Sequence, residues 1–245
     1  MLQTTSPALS LANLTVTYPD GDEIVHAMNA VNFEAHRGTM SAIVGPSGSG
    51  KSTLLSVSAM LTKPTSGLVT IGDQSVWDLT EDARAHLRRH EIGVVFQQPN
   101  LFGSLTSLEQ LLVTSHVRGE LGGGLRGGRG KRRELTNRAL ELLDLVGVAN
   151  LKDRRPHQLS GGQRQRVNVA RALMSNPSVI LADEPTAALD EASSQAVIDL
   201  LAQITTDLNL ATVMVTHDTE FVTACDNVLT MRNGHLTNAM VGAGL

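Results

Sequence analysis

Apolar residues alternate with polar ones at Leu9 and Leu11, and again at Leu14, Val16 and Tyr18, a change of phase that predicts one strand with a bulge. Val31, Phe33 and Ala35 alternate before the turn His36-Arg37-Gly38, and Val69 to Ile71 adds a short strand, so this part of the chain predicts an antiparallel β layer. Three other runs, Met40 to Val44, Ile92 to Phe96 and Val179 to Ala182, are mostly apolar without alternation, as parallel strands buried on both faces are. Thr212 to Thr216 reads as another buried strand. Helical spacing appears over Thr53 to Leu61, from the capping box Thr106-Ser107-Leu108-Glu109 to about Val117, and through Leu135, Ala139, Leu142, Leu143 and Val146 to a stop at Gly147. It returns at Val167, Ala170, Leu173 and Met174 before Asn176-Pro177, and at Val197, Leu200, Leu201 and Ile204. Val228 to Met231, Asn233-Gly234 and His235 to Thr237 form a hairpin signal.

Composition changes between Gly119 and Gly130, a glycine-rich stretch of linker character, and Arg126, Arg129, Lys131, Arg132 and Arg133 make a basic run in and just after it. The run reads as a solvated loop or as a site for anionic lipid headgroups. One domain over 1–245 is expected, with a core of about 1–98 and 159–245 and an inserted helical lobe of about 99–158. A formal charge of −4 argues against a general nucleic-acid binder. One cysteine, Cys225, excludes an internal disulfide framework. No run approaches the roughly 18 apolar residues that span a bilayer, and Met1 to Ser10 lacks the charged start and apolar stretch of a signal peptide. The expectation is a soluble, cytoplasmic chain that can dock on a membrane partner.

Between the strand ending at Val44 and the helix after it lies Gly45-Pro46-Ser47-Gly48-Ser49-Gly50-Lys51-Ser52-Thr53, which fits G-x-x-x-x-G-K-[ST] from Gly45 to Ser52. Glycines there let the backbone curl and point N–H groups at phosphate oxygens, and the helix start adds about half a positive charge. Lys51 would reach the β- and γ-phosphates and Ser52 would offer its hydroxyl to Mg²⁺. Asp183 and Glu184 follow another buried strand, positions suited to holding Mg²⁺ and polarising water. Gln97 and His217 end two more. Gln97 suits a metal ligand or a plain loop residue; His217 suits a γ-phosphate contact or a structural role. Tyr18 is the single tyrosine in a chain with 2% aromatic residues, and could stack on a base or close the core edge. Ser160, Gly161, Gly162 and Gln163 open a second helix, as an anion site or a turn, and Asp190 fits an N-cap.

Taken in this order, the phosphate loop, Gln97, Leu159-Ser160-Gly161-Gly162-Gln163, Leu181 to Pro185, Ala188-Leu189-Asp190 and Thr216-His217-Asp218 resemble the nucleotide-binding subunit of an ABC transporter, from about Leu9 to Leu236. The resemblance implies an α/β fold, a RecA-like P-loop core with an antiparallel β layer and a helical lobe, and ATP hydrolysis with Mg²⁺ held by Ser52, Gln97 and Asp183. It implies Tyr18 on adenine, Glu184 as catalytic base, His217 as γ-phosphate switch, and Lys51 stabilising the transferred charge. It further implies Ser160 to Gln163 on the ATP of a second, head-to-tail copy, Asp190 across that dimer, and a separate integral membrane subunit. Ile92 to Gln97 with Leu101, Thr106 and Glu109, together with the stretch Leu181 to Thr186, is similar to the lipoprotein-release and macrolide-export group. Gln110 in place of asparagine, Ala187 in place of serine or glycine, and the long glycine-rich stretch depart from that group. The implied output is export or extraction of a hydrophobic or amphipathic substrate, from the inner face of the membrane. The alternatives are regulation of cell-wall machinery without transport, or a DNA-repair type ATPase, which would carry heptad arms or zinc cysteines that this chain lacks.

Overall fold

The computed structural model describes residues 6–21, 23–117 and 128–238. Strands β1 (Leu9–Asp20), β2 (Glu23–Ala35), β4 (Ser66–Ile71) and β5 (Gln74–Ser75) form an antiparallel sheet in the order β2-β1-β4-β5. The phase change expected after Leu11 is a register irregularity in β1, where Asn13 takes a left-handed φ of 49°. It returns Leu14 and Val16 to the buried face on which Leu9 and Leu11 lie.

The second sheet takes β3 (Met40–Val44), β6 (Ile92–Val95), β7 (Val179–Asp183), β8 (Ala211–Thr216), β9 (Asn227–Arg232) and β10 (His235–Asn238) in the order β10-β9-β3-β8-β7-β6. All its pairings are parallel except β9 with β10. Its apolar runs sort by period two onto two cores. Ala42, Ile180, Ala182 and Met214 pack with Leu142, Val167 and Val197, while Ile43, Leu181, Val213 and Val215 pack with Leu54, Val57 and the antiparallel sheet. Burying one such aliphatic side chain contributes about 1.5–3 kcal/mol, which is why these strands carry so few polar residues. Asp226 ties β9 to β3: its carboxylate accepts from Met40 N at 2.7 Å, and its N–H donates to Met40 O at 2.8 Å.

Helices are α1 (Lys51–Ser58), α2 (Glu81–Glu91), α3 (Ser107–Val117), α4 (Gly128–Leu145), α5 (Gly161–Ala172) and α6 (Glu191–Asp207). The capping box at Thr106 forms: Glu109 Oε2 accepts from Thr106 N, and Thr106 Oγ1 from Glu109 N. Leu111 of α3, Leu142 of α4 and Val167 of α5 share the core under the parallel sheet.

Two sequence expectations are corrected, and one helix was not expected. The helix after the phosphate loop runs from Lys51 to Ser58 rather than Thr53 to Leu61, and Leu61 is exposed. Lys131, Arg132 and Arg133 are not loop residues but the exposed face of α4, and Arg129 lies within that helix too. Arg126 and residues 118–127 lie outside the described residues. Helix α2 has no apolar stripe to announce it; it buries no residue fully and is held by the Thr80 cap, with Glu81 and Asp82 in its first turn and Arg88, Arg89 and His90 in its last, as the helix dipole favours.

Cys225 precedes β9 and packs partly into the core. Burial first, and then the Asp226 carboxylate, push its thiol up to about 11. Iodoacetamide at pH 7.5 is therefore expected to modify it about 100-fold more slowly than free cysteine, because the thiolate is the reacting species. Modification at the free-thiol rate, followed by mass spectrometry, would contradict this packing.

Candidate active site

The register of three parallel strands builds the site. Val44 of β3 stands opposite Thr216 of β8, and Val215 of β8 opposite Asp183 of β7. Gly45, Glu184 and His217 are each the next residue, so they leave the sheet along one edge, where open parallel sheets bind ligands.

The loop from Gly45 to Gly50 is braced from two sides. Gly48 and Gly50 have φ of 77° and 110°, a region open chiefly to glycine. A Cβ on Gly50 would lie 2.3 Å from Ala27 O of β2 and 2.7 Å from Met231 Cε of β9, so the loop has no room for a side chain there. The β9–β10 turn, with Asn233 and Gly234 both at positive φ, is the expected hairpin. It also sits on the loop: Gly234 N donates to Ser49 O at 3.0 Å, and Asn29 N donates to Gly234 O at 2.8 Å. Lys51 is buried, its Nζ donating to Gly45 O at 2.6 Å and Pro46 O at 2.9 Å.

A cleft of about 510 Å³ opens above the loop. Ser47, Gly48, Gly50, Lys51, Ser52 and Thr53 line it on one side, Asp183 and Glu184 on another. Asp183 is half-buried; burial, and then the neighbouring Glu184 charge, raise its pKa above the ordinary carboxylate value, against the lowering effect of Lys51. Glu184 holds a left-handed φ of 42° although a proline follows, a conformation that costs of order 1–3 kcal/mol. Its N–H donates to Val215 O at 2.9 Å, and its Oε2 meets His217 Nδ1 at 2.9 Å. The two candidate catalytic side chains from adjacent strands thus touch.

Other candidates lie apart. Gly45 and Pro46 reach Lys51 through their carbonyls, and Ser49 is buried beneath the loop. Tyr18 is 43% exposed and pairs in register with Val25, which lines the cleft. Gln97 is exposed and is not among the residues lining the cleft. Ser160 caps α5: its Oγ accepts from Gln163 N at 3.2 Å, and Gln163 Oε1 accepts from Ser160 N at 2.9 Å. Gly161 and Gly162 pass close to the next segment, since their Cβ atoms would lie 3.0 Å from Leu189 Cδ2 and 3.2 Å from Ser193. Asp190 caps α6 by accepting from Ser193 N and Oγ, both at 2.9 Å, and these bonds hold its carboxyl below the ordinary range. Sequence reading missed Val25, His26, Ala27 and the Asn233-Gly234 turn as cleft residues. Only the hairpin signal at Asn233-Gly234 was visible, and nothing in it says which loop it will cover.

The residues present fit a nucleoside triphosphate with a divalent cation: a loop whose backbone comes within contact distance, one ammonium, a hydroxyl at a helix start, and a half-buried carboxylate whose ionised form lacks a full counter-charge. This fold and edge define the class of P-loop nucleotide-binding cassettes with a helical lobe.

The chain belongs to the ABC transporter family, whose model matches residues 28–187. It is 40% identical over 231 residues to the uncharacterized ABC transporter ATP-binding protein MJ0796 of Methanocaldococcus jannaschii, covering 93% of this chain and 94% of that one. It is 39% identical over 229 residues to the methionine import ATP-binding protein MetN of Cupriavidus pinatubonensis, and 41% identical over 228 residues to the macrolide export ATP-binding/permease protein MacB of Vibrio parahaemolyticus. Each match covers 93% of this chain, but the chain spans only 63% of the first and 33% of the second. It also superposes on the dimeric post-hydrolysis structure of MJ0796 bound to ADP and Pi, with a TM-score of 0.78 and 37% identity over 97% of this chain and 100% of that one. The structure of cbiO1 from Clostridium perfringens, part of the complex cbiONQ, gives a TM-score of 0.81 at 31% identity over 95% and 87% of the two chains.

Because folding raises the Asp183 pKa, its contribution to stability is fully present below the ordinary carboxylate pKa and is lost as pH rises through the folded value. Above the folded value the ionised carboxylate opposes folding of the nucleotide-free protein. Asp183→Asn should therefore raise the melting temperature at pH 7.5 by about 1–3 °C, with the gain shrinking towards pH 4. A lower melting temperature at pH 7.5, read by calorimetry, would contradict the electrostatics described.

Proposed function

We propose that the chain is one ATP-binding domain, core about 1–98 and 159–245 and lobe about 99–158, that hydrolyses ATP to drive a separate integral membrane subunit. The observation that carries this reading is the Glu184–His217 contact at 2.9 Å beside a cleft lined by Lys51, Ser52 and Asp183. N–H groups of Ser47 to Thr53 and the start of α1 cradle the phosphates. Lys51 exchanges the Gly45 and Pro46 carbonyls for β- and γ-phosphate oxygens. Ser52 and Asp183, with Gln97 brought in from outside the cleft, would hold Mg²⁺, and that ion would neutralise charge on those oxygens. Glu184 takes the proton of the attacking water, and His217, hydrogen-bonded to it, orients the pair towards the γ-phosphate. Tyr18 supplies a stacking face for the base.

Two copies close head-to-tail over two ATP molecules, each contributing Ser160 to Gln163 and Asp190 to the other's site. The α5 N-terminus is absent from the lining of its own chain's cleft, and the bound neighbour MJ0796 is a dimer. The membrane subunit takes the apolar groove of about 590 Å³ between β6 and α3, walled by Phe96, Phe102 and Val113; Phe96 and Phe102 are 43% and 57% exposed. Among the described residues no helix is long and apolar enough to cross a membrane, so such a partner would supply the spanning segments and hold the chain on the cytoplasmic face. An importer and an exporter are matched at nearly equal identity, so the reading of export or extraction of a hydrophobic or amphipathic substrate rests on Ile92 to Gln97 with Leu101, Thr106 and Glu109, and on Leu181 to Thr186.

Glu184→Gln keeps the shape of the side chain but removes its proton acceptor. It is expected to bind ATP with the affinity of the parent, to hydrolyse it at least ~10²-fold more slowly in a single turnover, and to accumulate as an ATP-bound dimer. Single-turnover hydrolysis at the parent rate would remove Glu184 from the mechanism.

A further inference from the structure

Three polar side chains on one face of α5 reach across to the segment that carries Gln97. Gln165 and Asn168 are 1% and 0% exposed, and the Nε2 of the first and the Nδ2 of the second both donate to Phe96 O at 3.1 Å. Arg171, one turn further, donates to Pro99 O at 2.7 Å and to Asn100 O at 3.2 Å. The three are joined to one another, Asn168 donating to Gln165 Oε1 at 3.4 Å and Arg171 donating to Asn168 Oδ1 at 2.8 Å. The bonds therefore grip the backbone immediately before Gln97 and two and three residues after it.

Apolar residues would fill this space more simply, since a buried amide costs free energy unless it is bonded. Strand β6 ends at Val95 on an outer edge of the sheet, so Phe96 O lies beyond its last strand pairing with β7. Residues three apart on a helix are neighbours, and here the row Gln165, Asn168 and Arg171 substitutes for a strand neighbour. Arg171, Phe96 and Asn100 also wall the apolar groove between β6 and α3. Burial lowers the Arg171 pKa, and the acceptors it meets are uncharged oxygens.

We infer that Gln165, Asn168 and Arg171 are positioning residues for Gln97: they bind its segment to α5, so that the groove wall, the Gln97 amide and the helix that starts at Ser160 shift as one body. This rests on the role proposed above for Gln97 at the metal and the attacking water.

The test is a pair of double-mutant cycles on single-turnover ATP hydrolysis by the full chain. Asn168→Ala and Arg171→Met are each expected to bind a fluorescent ATP analogue within about twofold of the parent and to hydrolyse ATP about 10- to 100-fold more slowly, the loss that a misplaced reacting group produces. In a Gln97→Ala background neither change should slow hydrolysis by more than about a further twofold, because its effect runs through the missing amide. Losses that multiply in that background would show a general structural role and overturn the inference, as would Arg171→Met hydrolysing at the parent rate. If Asn168→Ala fails to fold, Arg171→Met decides alone, since its side chain lies at the groove rim. A Gln97→Ala chain as fast as the parent would overturn the role of Gln97 and this inference with it; normal dependence on Gln97 with multiplying losses overturns this inference alone.

Discussion

The register of β3, β8 and β7 is the constraint on which the site depends. Val44 opposite Thr216 and Asp183 opposite Val215 bring the phosphate loop, Glu184 and His217 out of the sheet at one level. A slip of one residue in any of these strands would exchange its two faces and place its terminal side chain on the wrong core. Register is specified strongly here because both faces are buried and each residue has an assigned cluster: Ile43, Leu181 and Val213 with Leu54, Val57 and the antiparallel sheet, Ala42, Ile180 and Met214 with Leu142, Val167 and Val197. The packing that stabilises the fold is thereby the packing that sets the Glu184–His217 distance.

A second layer of support acts on the loop itself. Ala27 O and Met231 press on Gly50, and the turn at Gly234 bonds to Ser49 and Asn29. The antiparallel sheet and the last hairpin, neither of which carries a candidate catalytic group, thus hold the backbone that would meet phosphate. Pre-organisation of this kind spares reorganisation at the moment charge develops in the reaction, which is where electrostatic catalysis gains most.

Much of this was legible in the chain, for identifiable reasons. Buried parallel strands read as short apolar runs, the loop has fixed glycine and lysine spacing, and the side chains at strand ends follow from the strands. The capping boxes at Thr106 and the bulge after Leu11 were visible because each is a local pattern. Helix α2 was not, because its stabilisation comes from capping and charge rather than an apolar stripe. Lys131 to Arg133 looked like part of a loop because glycines precede them, yet the apolar spacing from Leu135 onward carries the helix back through them. The clamp on Phe96, Pro99 and Asn100 could not be read at all, since Gln165, Asn168 and Arg171 are indistinguishable in sequence from an exposed polar face until the partner segment is placed. Asp190 and Ser160 show the converse: each has a full local explanation as a helix cap, and sequence alone could not separate that from a contact with a second chain.

Each proposed site is shared between two copies, with Lys51 on one and Ser160 on the other. Lys51→Ala and Ser160→Arg are each expected to be inactive as homodimers, while their mixture forms heterodimers in which one site carries both lesions and the other carries none. Nucleotide retained through rapid gel filtration with vanadate reads this directly. The account predicts about one ATP-derived nucleotide trapped per heterodimer, as follows from isologous two-fold closure. Verified heterodimers that retain no more nucleotide than either parent would contradict it.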